Sequence, residues 1–204
     1  MVYIDDNIWD FSLDDALAAV SEQRREQALR YHHELGRRQC LRAYLLLIEA
    51  LQKEYGIGGC PLFDYSEHGK PLLRDHPGIH FSLSHCREAV ACVVGDRPVG
   101  IDIESVGRYR ESLARYAMSD SELSAIAAAG SSDGLSAPAV AAAGRDLAFT
   151  RLWTMKEAFL KCSGRGLGDG LKSVLDGVDE SLFTTVVDPR RRFVCTVFPA
   201  VGED

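Results

Sequence analysis

The chain's 204 residues carry a formal net charge of −7 at a mass of 22.4 kDa, which permits one ordinary domain or two small, intimately packed ones and excludes a multidomain array. Apolar residues at 46 % and charged residues at 26 % leave enough buried surface for a sizeable core and exclude wholesale disorder. A pI near 5.4 excludes a dedicated nucleic-acid binder, which needs a cationic footprint to displace counterions, so any phosphate ligand must be held by a local basic patch.

Met1-Val2-Tyr3-Ile4 runs straight into Asp5 and Asp6, without the basic head and apolar stretch of a secretory signal. No uncharged apolar run approaches the ~20 residues that span a bilayer. The six cysteines include no Cys-x-x-Cys pair and read as reduced core thiols. A cytoplasmic protein with no membrane contact is the expectation.

Residues 22–54 repeat apolar residues at helical spacing through Leu41, Tyr44, Leu45, Ile48 and Leu51. Two helices, or one broken at Gly36, fit this pattern, with Gly56 as the stop. Arg24, Arg25, Arg30, Arg37, Arg38 and Arg42 give this stretch a basic face within an acidic whole. Such a face by itself is commonly just solvated.

A loop rich in Gly and Pro is expected at 56–78. Ile79 to His85 alternates apolar and polar residues, Ala89 to Val94 is an apolar run, and Gly95-Asp96-Arg97-Pro98 forms a turn. Val99 to Glu104 then resumes the alternation; strand, hairpin and strand are expected. A helix starts near Ser119 or Asp120 with Glu122 close behind. The Ala/Gly/Ser stretch 130–144 reads as a flexible loop, 146–162 returns to helical periodicity, and the tail alternates at 183–187 and 193–198 around the turn-forming Asp188-Pro189. The order suggests two similar α+β halves.

Three segments carry chemistry. In Gly100-Ile101-Asp102-Ile103-Glu104 the strand period puts Asp102 and Glu104 on one face and Ile101 and Ile103 on the other. Two carboxylates this close favour a cation between them, and oxygen-only ligands suit Mg²⁺; spacing alone also fits a solvated strand face. In Trp153 to Lys161, helical spacing sets Trp153, Glu157 and Lys161 in one line. Surface Glu–Lys pairs are common, but a helix that closes over Asp102 and Glu104 would add a third carboxylate and two cations, Lys156 and Lys161. Phosphoryl transfer asks for such a group. Ser82-Leu83-Ser84-His85 ends in a histidine that can donate to a phosphate oxygen or can simply be a satisfied strand-end residue. His76, His80 and His85 lack the spacing of a zinc site.

Taken in this order, the segments resemble the 4′-phosphopantetheinyl transferases of the larger, surfactin-synthetase-activating type. The likeness covers Gly69-Lys70-Pro71, Phe81 to His85, Gly100 to Glu104, Ser119 to Leu123, Leu152 to Lys161 and Gly164-Arg165-Gly166-Leu167. It implies an α+β fold of two similar halves with pseudo-two-fold symmetry in one monomeric chain, 1–99 and 100–204, with coenzyme A in the cleft between them. It also implies the reaction, in which a serine hydroxyl of an apo acyl or peptidyl carrier protein attacks the β-phosphate of coenzyme A and adenosine 3′,5′-bisphosphate leaves. By the same resemblance Asp102, Glu104 and Glu157 are the Mg²⁺ ligands (Mn²⁺ being the other candidate), with Glu157 also the base for the serine. Lys161 meets the leaving phosphate, Ser84 and His85 contact the coenzyme, Lys70 lies beside the adenine, and Arg38, next to Arg37, lies near the 3′-phosphate. The loop 130–144 is placed near the docked carrier. The rival readings are a Mg²⁺-dependent hydrolase of nucleotide-like pyrophosphates and a non-catalytic coenzyme A binding module.

Overall fold

The alternating runs fold as strands and the 3.6-period runs as helices, in a computed structural model that describes residues 1–107, 109–131, 138–166 and 170–199. In chain order the first part holds β1 (Val2–Asp5), α1 (Leu13–Ala19), α2 (Glu22–Leu29), α3 (Glu34–Tyr55), β2 (Phe63–Tyr65), β3 (Pro71–Leu73), β4 (His80–His85) and β5 (Val90–Gly95). The second holds β6 (Val99–Ser105), α4 (Glu111–Ala117), α5 (Asp120–Gly130), α6 (Pro138–Ser163), β7 (Thr184–Val187) and β8 (Phe193–Pro199). The fold is α+β. Two three-stranded antiparallel sheets have the orders β1-β5-β4 and β6-β8-β7, and β2 and β3 form a separate hairpin.

Four layers follow from the strand period. Phe81, Val90, Cys92 and Val94 leave the first sheet on the side of α3 and join Leu41, Tyr44, Leu47 and Leu51 in one core. Ala91 and Val93 leave it on the other side and meet Ile101, Ile103, Cys195 and Val197 of the second sheet. The far face of that second sheet is covered by α6, through Ala158, Cys162 and Phe198. The order is therefore helix, sheet, sheet, helix, and β6 lies at its centre. All six cysteines are free thiols, five of them buried and Cys60 exposed. Among the described residues no helix is long and apolar enough to cross a membrane.

Several sequence expectations need correction. The break in the first helical stretch falls at 30–33, before α3, and Gly36 sits inside the first turns of α3. An added Cβ there would lie 2.7 Å from the Tyr31 ring, so the glycine admits a close side chain rather than ending a helix. Gly56 does stop α3, in the left-handed conformation at φ 68°. The expected loop 130–144 is helical where it is described from Pro138 onward, because α6 begins there; residues 132–137 lie outside the described residues. The turn 95–98 does not close a hairpin, since β6 crosses into the other sheet. Ser119 caps α5 in a full capping box with Glu122.

Candidate active site

The site is built where α6 crosses β6. Ile101 and Ile103 point into the core between the sheets, so the strand period turns Asp102 toward α6, as the alternation predicts. Gly100 lets the two backbones touch there, which brings the last turns of α6 over Asp102. Thr154 of α6 meets Thr196 of β8 at 2.7 Å, and Thr196 is the register partner of Asp102. The helix is thus fixed one side chain away from the carboxylate.

Asp102 is 4 % exposed. Its Oδ1 accepts from Lys161 Nζ at 2.6 Å and from Ser84 Oγ at 2.8 Å. Lys161 Nζ also donates to Ser84 Oγ at 2.9 Å, so three side chains from β4, β6 and α6 close a triangle. Glu157 stands one helical turn before Lys161; burial first, and the Asp102 charge second, hold its carboxyl above the usual range against the pull of Lys161. Among the described residues Asp102 Oδ2 is the buried side-chain oxygen with no hydrogen-bond partner.

Lys156 does not join this group. Its side chain is 1 % exposed and pairs with Glu122 Oε2 at 2.8 Å on the other side of α6, and it donates to the Leu171 carbonyl at 2.7 Å. The helical period explains this: Lys156 and Lys161 are five positions apart, which puts them on different faces. Among the described residues Lys161 is therefore the cation that meets Asp102.

Three cavities open along the site. One, of about 260 Å³, is lined by Lys70, Phe81, Ser82, Glu157 and Lys161. A second, of about 290 Å³, lies beyond Glu104 against Arg110, Leu113, Phe149 and Trp153. The third, of about 580 Å³, holds Gln39, His85, Arg87 and the other flank of Glu104. Glu104 thus lines two cavities, while Glu157 lines the first. Among the described residues no three acidic, histidine or cysteine side chains are gathered closely enough to hold a metal ion.

The other sequence candidates have definite partners, and of them Lys70 and His85 line these cavities. Lys70 lines the first cavity, but its Nζ donates to the Cys162 carbonyl at 2.8 Å and the Val99 carbonyl at 3.3 Å. Cys162 is in the last turn of α6, where carbonyls lack helical donors, so the ammonium caps the helix; burial lowers its pKa. His85 closes β4 beside Lys161, and desolvation together with that ammonium lowers its pKa. Arg38 is stacked 5.1 Å from both the Trp9 and Phe11 ring centres, and donates to Glu34 at 2.7 Å and to the Phe11 carbonyl at 2.9 Å. Arg37 donates to the Tyr31 carbonyl at 2.9 Å. Two residues to which sequence reasoning gave no role, Ser82 and Gly100, turn out to set the geometry. Their signal was in plain sight: a hydroxyl two residues before Ser84, and a glycine two residues before Asp102.

Comparison with known proteins gives the family. The family model of the 4′-phosphopantetheinyl transferase superfamily matches residues 98–196. A 4′-phosphopantetheinyl transferase of Bacillus subtilis is 31 % identical over 173 residues, covering 84 % of this chain and 72 % of the relative. The chain belongs to the 4′-phosphopantetheinyl transferase superfamily. The 4′-phosphopantetheinyl transferase psf-1 of Bacillus pumilus is 32 % identical over 179 residues, 87 % of this chain and 72 % of that protein. The 4′-phosphopantetheinyl transferase HetI of a Nostoc strain is 30 % identical over 162 residues, 76 % of this chain and 64 % of its own length. As a phosphopantetheinyl transferase, the chain carries the two acidic segments inside the matched region. The orphaned Asp102 oxygen and a Glu157 carboxylate disfavoured by burial are what a hard divalent cation would relieve, since it binds oxygen donors and stabilises their charge. Asp102 and Glu157 thus offer oxygen donors of the kind such an ion takes.

Proposed function

We propose that this transferase lays coenzyme A along the cleft between residues 1–99 and 100–204 and moves its 4′-phosphopantetheine onto a serine of an apo carrier protein. The observation that carries this reading is the triangle of Asp102, Lys161 and Ser84, whose Lys161 lines the same cavity as Lys70 and Glu157. The cavity takes the nucleotide end, with Lys70 holding its wall against α6. His85 and a basic side chain of the Arg37–Arg38 pair face the coenzyme phosphates.

In the reaction the serine oxygen bonds to the β-phosphorus and the bond from that phosphorus to the bridging oxygen breaks. The bridging oxygen leaves with the bond electrons as part of adenosine 3′,5′-bisphosphate. Lys161 stands where its ammonium can meet that charge, and Asp102 and Ser84 hold the ammonium in place. Glu157, raised by burial, accepts the serine proton as attack proceeds. Asp102, Glu104 and Glu157 would hold Mg²⁺, or Mn²⁺, which supplies neutralisation of the diphosphate oxygens. A monomeric cytoplasmic enzyme is the form this reading expects.

The test is to mix the purified protein with Mg²⁺, coenzyme A and an apo acyl carrier protein and to record the carrier's intact mass. The expected result is a gain of one phosphopantetheine, absent with Asp102→Ala and after chelation. Release of adenosine 3′,5′-bisphosphate without any carrier present would instead favour the hydrolase reading. Failure with fatty-acid, polyketide and peptide-type carriers alike would overturn the transfer reading.

A further inference from the structure

The two sheets meet at β4 and β6, yet no backbone ladder joins these strands: β4 is an edge of the first sheet and β6 an edge of the second. An edge strand leaves alternate N–H groups without ladder partners. On β6 these include the amides of Ile101 and Ile103, whose residues are fully buried, where an unpaired donor is costly. Both amides find side chains. Ile101 N–H donates to Ser82 Oγ and Ile103 N–H donates to Ser84 Oγ, each at 3.2 Å.

The match of spacings is what makes this a device. Two hydroxyls at i and i+2 share one face of β4, and two amides at i and i+2 share one edge of β6. The pairs rise together, 82 with 101 and 84 with 103, so the strands run in the same direction and in fixed register. At its inner end the seam reaches the site, because Ser84 Oγ also touches Asp102 Oδ1 and Lys161 Nζ. At its outer end Ser82 is buried, at 6 % exposed.

We infer that Ser82 is a positioning residue for transfer: with Ser84 it sets the register of β6 on β4, and so the place of Asp102 under Lys161. The inference rests on the transferase reading for its kinetic part, and not for its structural part. Removing the Ser82 hydroxyl orphans the Ile101 amide, and the strand must shift or admit water to satisfy it. Either change moves Asp102, and reacting groups displaced by about 1 Å lose up to roughly 100-fold in rate.

The experiment uses the full chain with Ser82→Ala, Ser82→Cys and Ser82→Thr. Amide hydrogen exchange at Ile101 and Ile103 reads the seam directly, and kcat and the KM for coenzyme A read its consequence. In Ser82→Ala, exchange at Ile101 is expected to speed up by about tenfold or more, with less change at Ile103. There kcat falls by roughly 10- to 100-fold while the KM for coenzyme A stays within about twofold. Ser82→Thr, which restores the acceptor, recovers kcat. Should Ser82→Ala not fold, Ser82→Cys carries the same readouts, its thiol being of similar volume and a weak acceptor. Unchanged exchange at Ile101, or an unchanged kcat, overturns the inference. So does a raised KM at constant kcat, since Ser82 also lines the Lys70 cavity and would then be a ground-state contact. If the wild-type chain transfers nothing, the functional reading fails alone, and the exchange data still decide whether the seam exists.

Discussion

At Gly100 the strand that carries Asp102 runs against the backbone of α6: an added Cβ would lie 2.0 Å from the Ala158 carbonyl oxygen and 2.4 Å from the Cys162 amide nitrogen. Neither atom belongs to a flexible side chain, so only displacement of the whole helix makes room. Lys161 lies between those two contacts in sequence, and its 2.6 Å bond to Asp102 depends on the same approach. Gly100→Ala is expected to cost about 3 kcal/mol, at the upper end for an overpacked contact, measured by urea unfolding. Among molecules that remain folded, turnover falls by more than tenfold, because the ammonium is carried away from the carboxylate. Full turnover in Gly100→Ala would show that the helix can retreat without moving Lys161.

At the scale of elements, α6 uses its two lysines for different ends. Lys161 serves the site, whereas Lys156 ties α6 to the start of α5 through Glu122 and to the 3-10 turn at Leu171–Ser173 through the Leu171 carbonyl. Glu122 is at the same time the capping-box partner of Ser119. Breaking a buried pair by removing one partner leaves the other charge uncompensated, so Lys156→Ala should lose about 3 kcal/mol or more. Lys156→Met with Glu122→Leu should lose less than the sum of the two single changes, read as a double-mutant cycle in denaturant. A strictly additive cycle would show that the pair contributes nothing as a pair.

At the scale of the molecule, polar clasps tie distant parts of the chain together. Lys70 binds the β2–β3 hairpin to the end of α6. On another flank Arg192 bridges Asp188, in the turn between β7 and β8, at 2.8 Å, and Asp6, just after β1, at 2.6 Å. The Arg192 hydrogen bond holds the Asp188 carboxyl down to about 2, from an ordinary 3.8. A depressed carboxylate contributes stability that is fully present above its unfolded pKa and is lost as pH falls through the folded one. Tm is therefore expected to decline from about pH 4 toward pH 2, and Asp188→Asn should flatten that limb. Glu157 works in the opposite sense: burial raises it, so Tm rises as pH falls through its pKa, and Glu157→Gln removes that rise. A Tm profile unchanged in Asp188→Asn would show that the clasp does not hold the fold.

Local periodicity was enough to read which face each residue occupies. The alternation at 100–104 put both carboxylates on one side and both isoleucines on the other, and the isoleucines do fill the core between the sheets. The Gly56 stop and a cap at Ser119 or Asp120 were equally legible, because capping depends on a few neighbouring residues, and the structure places the cap at Ser119. The stretch at 138–144 was misread because small residues resemble a flexible loop in composition. In the structure they permit close helix contact, and a Cβ on Gly144 would lie 2.2 Å from the Ala129 carbonyl oxygen. Nor does spacing along the chain tell which lysine of α6 meets Asp102, that β6 leaves the sheet of β5, or that Arg38 lies over two aromatic rings. The sequence by itself determined the faces, the caps and the chemical groups on offer. The tertiary structure alone decided what each face meets, because that depends on contacts between residues far apart in the chain, which no local period encodes.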